Sequence, residues 1–402
     1  MRIGINCLDV DPGYSGGINT YTFGLLSGFA AIGAEHQFQI YAVPTNLSLF
    51  DRFRERPNFK IVAVPEYQST LKRGIRKAAR MTNVPALYRR VSDWMFPAIA
   101  RIMDANSDII YAPTTVLFPY DLRKTTVISM HDIQQFHYPE FFSKQELISR
   151  HVLFTLSAQY VDYIQASSEF IKQDLLTHFN ELRPEQIFVV PEGVNVSDFQ
   201  GPREADARVR EKYNLPADFL FYPAQLWPHK NHITVLKAVD KLKTTHGLQI
   251  PLVLTGAIFS AAEQIFAFIK ERKMDYVRYL GKVPFADLTS LYRTARFMIT
   301  SVLYESSSLC ILEAAAAGTP IIASSTPPNV EMSAILDLNL FQSLDVDELA
   351  MLLNKIWNDE PYRKRQRETN SRNIEHYSWN NAARSYLSFF EKIEAVTDAG
   401  AC

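Results

Sequence analysis

Two glutamates flank a predicted helix start in the second half of the sequence. A strand is predicted to end near Thr300 and a helix to begin near Ser308, so Glu305 lies in the loop and Glu313 on the first turns of the helix. Carboxylates accept hydrogen bonds from paired hydroxyls, and the helix N-terminus between them attracts a diphosphate. The alternative is one loop glutamate and one solvent-facing helical glutamate, which the spacing alone does not exclude.

A second junction joins a predicted strand ending near Tyr222 to a helix that begins after Asn231. Asparagine commonly caps helix N-termini, so Lys230 lies beside the positive end of this helix. A lysine in that position can neutralise a leaving diphosphate as its charge develops. Since most lysines are simply solvated, an ordinary surface lysine is the alternative.

Two further junctions lie in the first half of the chain. Gly16 and Gly17 follow the first predicted strand and, without a Cβ, allow the backbone to approach a phosphate or a sugar closely. The segment lacks the GxGxxG pattern of NAD-binding proteins, and a simple tight turn is the alternative. Another predicted strand leads to His131, whose imidazole can hydrogen-bond sugar hydroxyls. Asp132 next to it either supports this role or merely caps the loop.

Alternating strands and helices must position these residues. Short apolar runs alternate with helical periodicities throughout the chain, which is typical of parallel sheets with crossover helices. The predicted strands form one series at 3–5, 38–42, 109–111 and 126–130, and a second at 219–222, 252–254, 277–280, 297–300 and 321–323. The polar stretch 201–206 between them, which contains Gly and Pro, is the predicted linker. The fold class is therefore α/β, with domains at 1–200 and 201–377.

Composition restricts the class of protein. A chain of 402 residues with 47% hydrophobic residues favours two domains with separate cores. A net charge of -1 argues against nucleic acid as a partner. Three cysteines without a CxxC pair argue against a disulfide framework or a thiolate metal site. With no apolar secretory core and no membrane-length apolar run, we expect a cytoplasmic protein.

One local charge pattern bears on the partner. The segment 71–90 contains no acidic residue, and its seven basic residues are Lys72, Arg73, Arg76, Lys77, Arg80, Arg89 and Arg90. Together with nearby apolar side chains, they predict a basic amphipathic segment that lies on anionic lipid, where each cation contributes about 1 kcal/mol. This favours a partner at the inner face of the cytoplasmic membrane. A solvated helix face is the alternative.

Taken together, the four junctions resemble glycosyltransferase family four, a group of retaining enzymes with the GT-B fold. The signature of that family is two glutamates separated by seven residues, and Glu305 and Glu313 have this spacing, followed by Ala-Ala-Ala-Ala-Gly-Thr-Pro. The stretch 222–232 looks like a variant common among bacterial polysaccharide enzymes, many of them mannosyl- or rhamnosyltransferases. Further matches cover nearly the whole chain, at 131–132, 166–170, 190–195 and 280–284. The resemblance implies two Rossmann-like, doubly wound domains that face a central cleft.

The resemblance also implies roles for individual residues. The catalytic candidates are His131 and Glu305 at the donor sugar and Lys230 at the diphosphate. The other implied donor contacts are Gly16 and Gly17 at the phosphates or acceptor, Gln225 and Asn231 in the first loop of the second domain, Lys282 and Val283 at the base, Ser308 and Leu309 at the helix start, and Glu313 at the ribose. The sequence departs from the family pattern at 224–225, where Ala-Gln stands for the Gly-Arg of many relatives, and at 306–308, where Ser-Ser-Ser stands for Gly-Phe-Gly or Ser-Phe-Gly. Asn231 or a histidine is the candidate to compensate for the missing arginine.

For such enzymes the resemblance implies retention by front-face attack, with the leaving diphosphate as the proton acceptor and without a metal or a tightly bound cofactor. We expect a nucleotide-sugar donor, with GDP-mannose favoured over a UDP- or dTDP-sugar, and a glycan or polyprenyl-diphosphate-linked acceptor in bacterial surface polysaccharide assembly. Family likeness also places the last helix, 378–402, back on the N-terminal domain. The rival functions are a nucleotide-sugar epimerase or hydrolase of the same fold and a non-catalytic nucleotide-sugar-binding protein.

Overall fold

A computed structural model describes the chain except for residues 11–15, 66–69 and 401–402. The chain divides into two compact units. The first comprises Met1–Gly193 and Trp379–Cys402, and the second comprises Val194–Ser378. Each unit is built on one parallel sheet, which confirms the predicted fold class.

The first unit has a seven-stranded sheet in the order β3-β2-β1-β4-β5-β6-β7, and every neighbouring pair is parallel. Its strands are β1 Arg2–Asn6, β2 Gln37–Ala42, β3 Phe59–Ala63, β4 Ile109–Ala112, β5 Thr125–Ser129, β6 Tyr163–Ala166 and β7 Ile187–Val189. Its helices are α1 Gly17–Ile32, α2 Thr70–Met81, α3 Pro85–Met95, α4 Pro97–Asn106, α5 Lys144–Tyr160, α6 Glu169–His178 and the last helix of the chain, α15 Trp379–Gly400. The four strands predicted for this unit are confirmed within one residue at each end.

The second unit has a six-stranded sheet in the order β10-β9-β8-β11-β12-β13, also parallel throughout. Its strands are β8 Leu220–Pro223, β9 Leu252–Thr255, β10 Val277–Tyr279, β11 Phe297–Thr300, β12 Ile321–Ser324 and β13 Asn339–Phe341. Its helices are α7 Arg203–Lys212, α8 His232–His246, α9 Ala262–Glu271, α10 Phe285–Thr294, α11 Leu309–Ala317, α12 Pro327–Met332, α13 Val346–Ile356 and α14 Glu360–Asn373.

Both faces of the second sheet are covered. Leu220 and Tyr222 pack into one core cluster, whereas Phe219 and Phe221 pack into another on the opposite face. Side chains alternate between the faces of a strand, and a strand buried on both faces must be apolar at every position. This is why the strands read as continuous apolar runs in the sequence.

The strand order reverses once in each sheet, between β1 and β4 and between β8 and β11. At such a point the connections leave the sheet in opposite directions, and the loops that follow the two central strands open a crevice that ligands use. The loops after β8 and β11 contain Lys230 and Glu305. The second unit therefore brings two of the predicted functional residues to one edge of its sheet.

The prediction of an interdomain linker at 201–206 is wrong. The units divide at Gly193, seven residues before the predicted boundary at 200, because Val194 and Phe199 pack in the core of the second unit. The polar stretch is the start of α7, and Asp206 in it forms an ion pair of 2.5 Å with Arg293 of α10. Its polarity reflects an exposed helix start rather than a flexible connection.

The last helix, α15, packs against α1 within the first unit. Two glycines of α1 make the close approach possible. A Cβ at Gly24 would lie 2.1 Å from the Trp379 ring, and one at Gly28 would lie 2.4 Å from the Trp379 carbonyl oxygen. Among the residues that the structure describes, no helix combines the length and apolar composition needed to cross a membrane.

Candidate active site

Hydrogen bonds join the two loops that follow β8 and β11. The Leu303 amide donates to the His229 carbonyl at 2.8 Å, and the Ser301 hydroxyl donates to the Asn231 carbonyl at 2.9 Å. The side-chain amide of Asn231 donates back to the Ser301 carbonyl at 3.1 Å. Because these bonds cross between neighbouring loops, they fix the positions of the two loops, and therefore of their side chains, relative to each other.

Lys230 and Glu305 form an ion pair across this joint. Only 19% of the lysine side chain and 18% of the glutamate side chain are exposed. The second carboxylate oxygen of Glu305 accepts a hydrogen bond of 2.6 Å from the Ser308 hydroxyl. Burial alone would lower the pKa of Lys230, but the Glu305 charge outweighs it and raises the pKa above the ordinary value of 10.5. Lys230 is therefore a permanent cation at physiological pH.

The start of α11 completes this cluster. The helix begins at Leu309, one residue after the predicted start at Ser308, and it ends at Ala317, followed by Gly318 in the left-handed conformation. The Ser308 side chain does not cap the first turn, because it bonds Glu305 instead. The positive end of the helix dipole and Lys230 both favour an anion here.

Glu313 lies on the second turn of α11, where Tyr292 of α10 donates a hydrogen bond of 2.6 Å to its carboxylate. Burial of Glu313 raises its pKa from 4.5 to about 7, although the bond from Tyr292 opposes this shift. The carboxylate is thus only partly ionised at neutral pH. Tyr292 is a partner that the sequence analysis did not identify, because α10 and α11 are separated by a strand.

The side chains of Gln225 and Asn231 form hydrogen bonds that stabilise the loop after β8. The Gln225 side-chain oxygen accepts a 3.0 Å hydrogen bond from the Trp227 ring nitrogen. Asn231 occupies the predicted N-cap position of α8 with a φ of 53°, but its side chain does not cap the helix. Its amide donates to the Ser343 carbonyl at 2.7 Å as well as to Ser301, so both amide protons are used. Asn231 therefore connects the loop after β8 to Ser301 and Ser343.

Gly256, at the end of β9, fixes the neighbouring loop. Its φ is 130°, and a Cβ there would lie 2.4 Å from the Ala224 carbonyl oxygen. Its amide donates to the Gly281 carbonyl at 2.9 Å. Lys282 and Val283 follow directly, the lysine exposed and the valine packed partly against the core. The loops after β8, β9 and β10 are thus adjacent. The sequence analysis did not identify Gly256 as the residue that joins them.

The first unit presents His131 just after β5. Its Nε2 lies 3.2 Å from the Pro113 carbonyl oxygen, which can only accept, so Nε2 carries the proton and Nδ1 offers a lone pair. Burial lowers the pKa of His131 from 6.5 to about 4. The imidazole is therefore neutral at physiological pH, and it can accept a hydrogen bond but contributes no charge.

The surroundings of His131 include two residues that the sequence analysis did not single out. The Glu192 carboxylate lies 4.0 Å from Nδ1, and the Tyr21 ring packs edge-on at 4.5 Å between ring centres. The Tyr21 hydroxyl shares a hydrogen bond with the Tyr386 hydroxyl of α15. Glu192 was visible only as part of the motif at 190–195, and the contact with α15 spans most of the chain length.

Asp132 caps its own loop, which is the alternative considered for it. Its carboxylate accepts a hydrogen bond of 2.7 Å from the Gln134 backbone amide and one of 3.0 Å from the Arg150 guanidinium group. Gly16 and Gly17 form the start of α1, with Gly16 in extended conformation at the N-cap position. The rest of that junction, 11–15, lies outside the described residues.

Comparison with known proteins identifies the chain's relatives. The model of glycosyltransferase family 4 matches residues 15–198, and the model of glycosyl transferases group 1 matches residues 204–373. The O-antigen chain mannosyltransferase B of Escherichia coli is 25% identical over 292 residues, which are 71% of this chain and 74% of that protein. The MMP alpha-(1->4)-mannosyltransferase of Mycolicibacterium hassiacum is 31% identical over 233 residues, 57% of this chain and 53% of the relative.

The fold is also shared with solved structures. The Anabaena protein HepE, solved in complex with UDP and glucose, superposes with a TM-score of 0.71 at 15% identity, over 98% of this chain and 100% of HepE. At that identity the likeness concerns the fold, and it agrees with the two parallel sheets described above. The two family models, matched in order along nearly the entire sequence, and the paired glutamates around the start of α11 show that this chain belongs to glycosyltransferase family four and has the GT-B fold.

Proposed function

We propose that this glycosyltransferase takes a sugar from a nucleotide diphosphate donor and transfers it with retention of anomeric configuration. The observation that carries the proposal is the Lys230–Glu305 ion pair at the start of α11. In this structure the cation and the carboxylate satisfy each other. A bound donor replaces that contact with two others: its diphosphate binds the ammonium group and the helix N-terminus, and its sugar hydroxyls donate to Glu305.

The reaction needs no nucleophile from the protein. The bond between the anomeric carbon and the diphosphate oxygen breaks, and its electron pair leaves with the diphosphate. The acceptor oxygen forms the new bond on the same face of the sugar, and its proton passes to the departing diphosphate oxygen. Lys230 stabilises the negative charge that grows on the leaving group, and His131 accepts a hydrogen bond from a sugar hydroxyl.

We further propose that no divalent metal takes part in transfer. A metal in such reactions would neutralise the diphosphate. Here the permanent cation of Lys230 and the N-terminus of α11 supply positive charge at the same place. Gln225 in place of an arginine leaves Lys230 as the main cation of these loops, so its contribution to catalysis should be large.

GDP-mannose is the donor we propose. Its support is the two similar proteins named as mannosyltransferases, whereas HepE was solved with UDP. A thermal-shift panel of GDP-mannose, UDP-glucose and dTDP-rhamnose tests this choice, with the largest rise in Tm expected for GDP-mannose. A larger rise with either of the other nucleotide sugars would overturn the donor assignment without affecting the transferase assignment.

Product analysis separates transfer from the rival functions. A transferase forms a glycoside only when an acceptor is present, and NMR of its anomeric proton reports retention or inversion. An epimerase or hydrolase would consume the donor equally well without an acceptor. A non-catalytic binding protein would show a Tm shift without turnover.

We also propose that the acceptor is lipid-linked and that α2 and α3 lie on an anionic membrane surface. Five large apolar side chains of this region are exposed: Leu71, Ile75, Val84, Leu87 and Trp94. Trp94 is 79% exposed and Leu71 is 74% exposed, which is unusual for side chains of this size. Aromatic and aliphatic side chains among cations are typical of interfacial helices.

The structure reduces the number of cations available to a membrane. Arg76 lies 4.6 Å from the Phe118 ring centre, Arg89 lies 3.9 Å from that of Tyr160, and Lys72 lies 5.0 Å from that of Phe96. Arg80 is half-buried, and Arg73, Lys77 and Arg90 remain exposed, so the electrostatic part of lipid binding is about 3 kcal/mol at about 1 kcal/mol per cation.

Co-sedimentation with vesicles of phosphatidylglycerol and phosphatidylcholine tests this surface. Replacing both Arg73 and Lys77 with glutamate should release the protein, whereas Lys237→Glu on the exposed face of α8 should not. Equal sedimentation with neutral and anionic vesicles would indicate a solvated helix face instead.

A further inference from the structure

A cluster of two histidines and one aspartate lies in the first unit. Among the described residues, His137, Asp174 and His178 are the one group of three metal-ligating side chains whose ligand atoms all lie within 4.8 Å of one another. His137 follows β5 in the same connection as His131, and the other two residues lie on α6. We propose that this cluster binds a zinc ion.

The geometry of the cluster fits a small divalent cation. The Asp174 carboxylate is 6% exposed and lies 2.8 Å from His137 Nε2 and 3.3 Å from His178 Nδ1. Ligands about 2.1 Å from a tetrahedral zinc are about 3.4 Å apart, so the His178 distance fits already and the His137 contact must lengthen by about 0.6 Å. His137, with 32% of its side chain exposed, has room to move.

The types of residue select the metal. Asp174 and His178 are four residues apart on α6, so both face the same side of the helix. Two imidazoles and one carboxylate suit zinc, whereas magnesium prefers oxygen ligands. His178 Nδ1 also lies 2.9 Å from the Asp174 carbonyl oxygen, and it would exchange this hydrogen bond for the metal. Water supplies the fourth ligand.

Binding of zinc would join the connection after β5 to α6. This connection holds His131 six residues before His137, and Asp132 anchors its start to Arg150. The metal would therefore fix the connection after β5 to α6, and we call this link through His137, Asp174 and His178 the clamp. The proposed zinc site does not depend on the transfer reaction, because none of its three ligands is among the residues proposed to contact the donor.

Zinc titration of the metal-free, untagged full chain against a chromophoric chelator tests the proposal. One zinc ion per chain should bind, and magnesium should not compete. His137→Ala should weaken binding by about tenfold or more, since even partners outside the metal's first ligands contribute that much. His151→Ala, which removes an exposed histidine of α5, is the matched control and should bind as the unaltered chain does.

A second measurement guards against a variant that simply unfolds. Zinc should raise the Tm of the unaltered chain and of His151→Ala by several degrees and leave that of His137→Ala unchanged. Because His137 is partly exposed, its removal should leave the metal-free Tm nearly unaltered. Equal zinc affinity in both variants, or no stoichiometric binding, would overturn the proposal and identify a metal-free hydrogen-bonded cluster.

Discussion

The candidate residues of the two units differ in charge. In the second unit, Lys230 and Glu305 are a cation and an anion held against each other at the start of α11. In the first unit, His131 is neutral, because burial lowers its pKa to about 4. Under the proposed function, the second unit would supply the charges that stabilise a leaving diphosphate, whereas the first unit would supply a hydrogen-bond acceptor without charge.

The support around the two sets differs as well. Lys230 and Glu305 depend on hydrogen bonds between two neighbouring loops. His131 depends on its hydrogen bond to the Pro113 carbonyl and on packing against the Tyr21 ring, whose hydroxyl is hydrogen-bonded to Tyr386 of the last helix. Substitutions in the second unit should therefore affect turnover most, and those around His131 should act more weakly.

The largest expected effect is that of Lys230→Ala. Removing the cation leaves the growing charge on the diphosphate unstabilised, so kcat should fall by about 100- to 1000-fold. Steady-state kinetics measure this, with Lys237→Ala of α8 as the control for loss of a lysine. Near-normal turnover in Lys230→Ala would remove this residue from the chemistry.

Glu305→Gln should have the next largest effect. The amide keeps the shape but loses the charge that accepts sugar hydroxyls, and kcat/KM should fall by about 10- to 100-fold. Since the two residues touch, their effects should not add: the double variant Lys230→Ala, Glu305→Gln should be no more than a few-fold worse than Lys230→Ala alone. If the losses in kcat/KM of the two single variants multiplied fully in the double variant, Lys230 and Glu305 would act independently and their ion pair would have no role in transfer.

His131→Asn should reduce kcat by about tenfold, the equivalent of one hydrogen bond to a neutral group. The rate of the unaltered enzyme should show no titration of His131 between pH 6 and 8, because its pKa is about 4. A 100-fold or greater loss, or a bell-shaped profile that disappears in the variant, would mean that the imidazole acts as a charged group. That outcome would break the contrast between the units.

Glu313 should make donor binding depend on pH by a few-fold. Its pKa is about 7, so the carboxylate becomes a better acceptor for ribose hydroxyls as the pH rises from 6 to 8. Isothermal titration should give a Kd that falls over this range and is flat for Glu313→Gln. The folded state binds this proton more tightly than the unfolded chain does, so stability from this group is present below pH 4.5 and is lost as the pH rises to about 7. Urea unfolding at pH 5 and pH 8 should show the loss, and the glutamine variant should lack it.

The smallest expected effect is that of EDTA on transfer. Because Lys230 and the start of α11 provide the positive charge, activity should change by less than about twofold. Loss of activity that manganese restores would contradict the proposed metal-free reaction. Loss that only zinc restores, and that does not occur in His137→Ala, would instead concern the proposed clamp after β5.

Much of this arrangement could be predicted from the sequence. Apolar runs located nine strands, and the strand-to-helix pattern after Thr300 placed the start of α11 within a residue. The strands β3, β6, β7 and β13 were not predicted, and the start of α7 was mistaken for a linker. Exposed polar helix starts and linkers have similar composition, so composition alone cannot separate them.

Sequence by itself determined the order of the elements, the fold class and the residues that end the central strands, because these depend on local periodicity and on residue type. Only the tertiary structure decided that Lys230 pairs with Glu305, that Tyr292 bonds Glu313 and that the last helix supports Tyr21. Each of these contacts joins residues distant in the chain, and each depends on which strands lie side by side in the sheet. Burial, which sets the charge of His131 and Glu313, likewise exists only once the chain has folded.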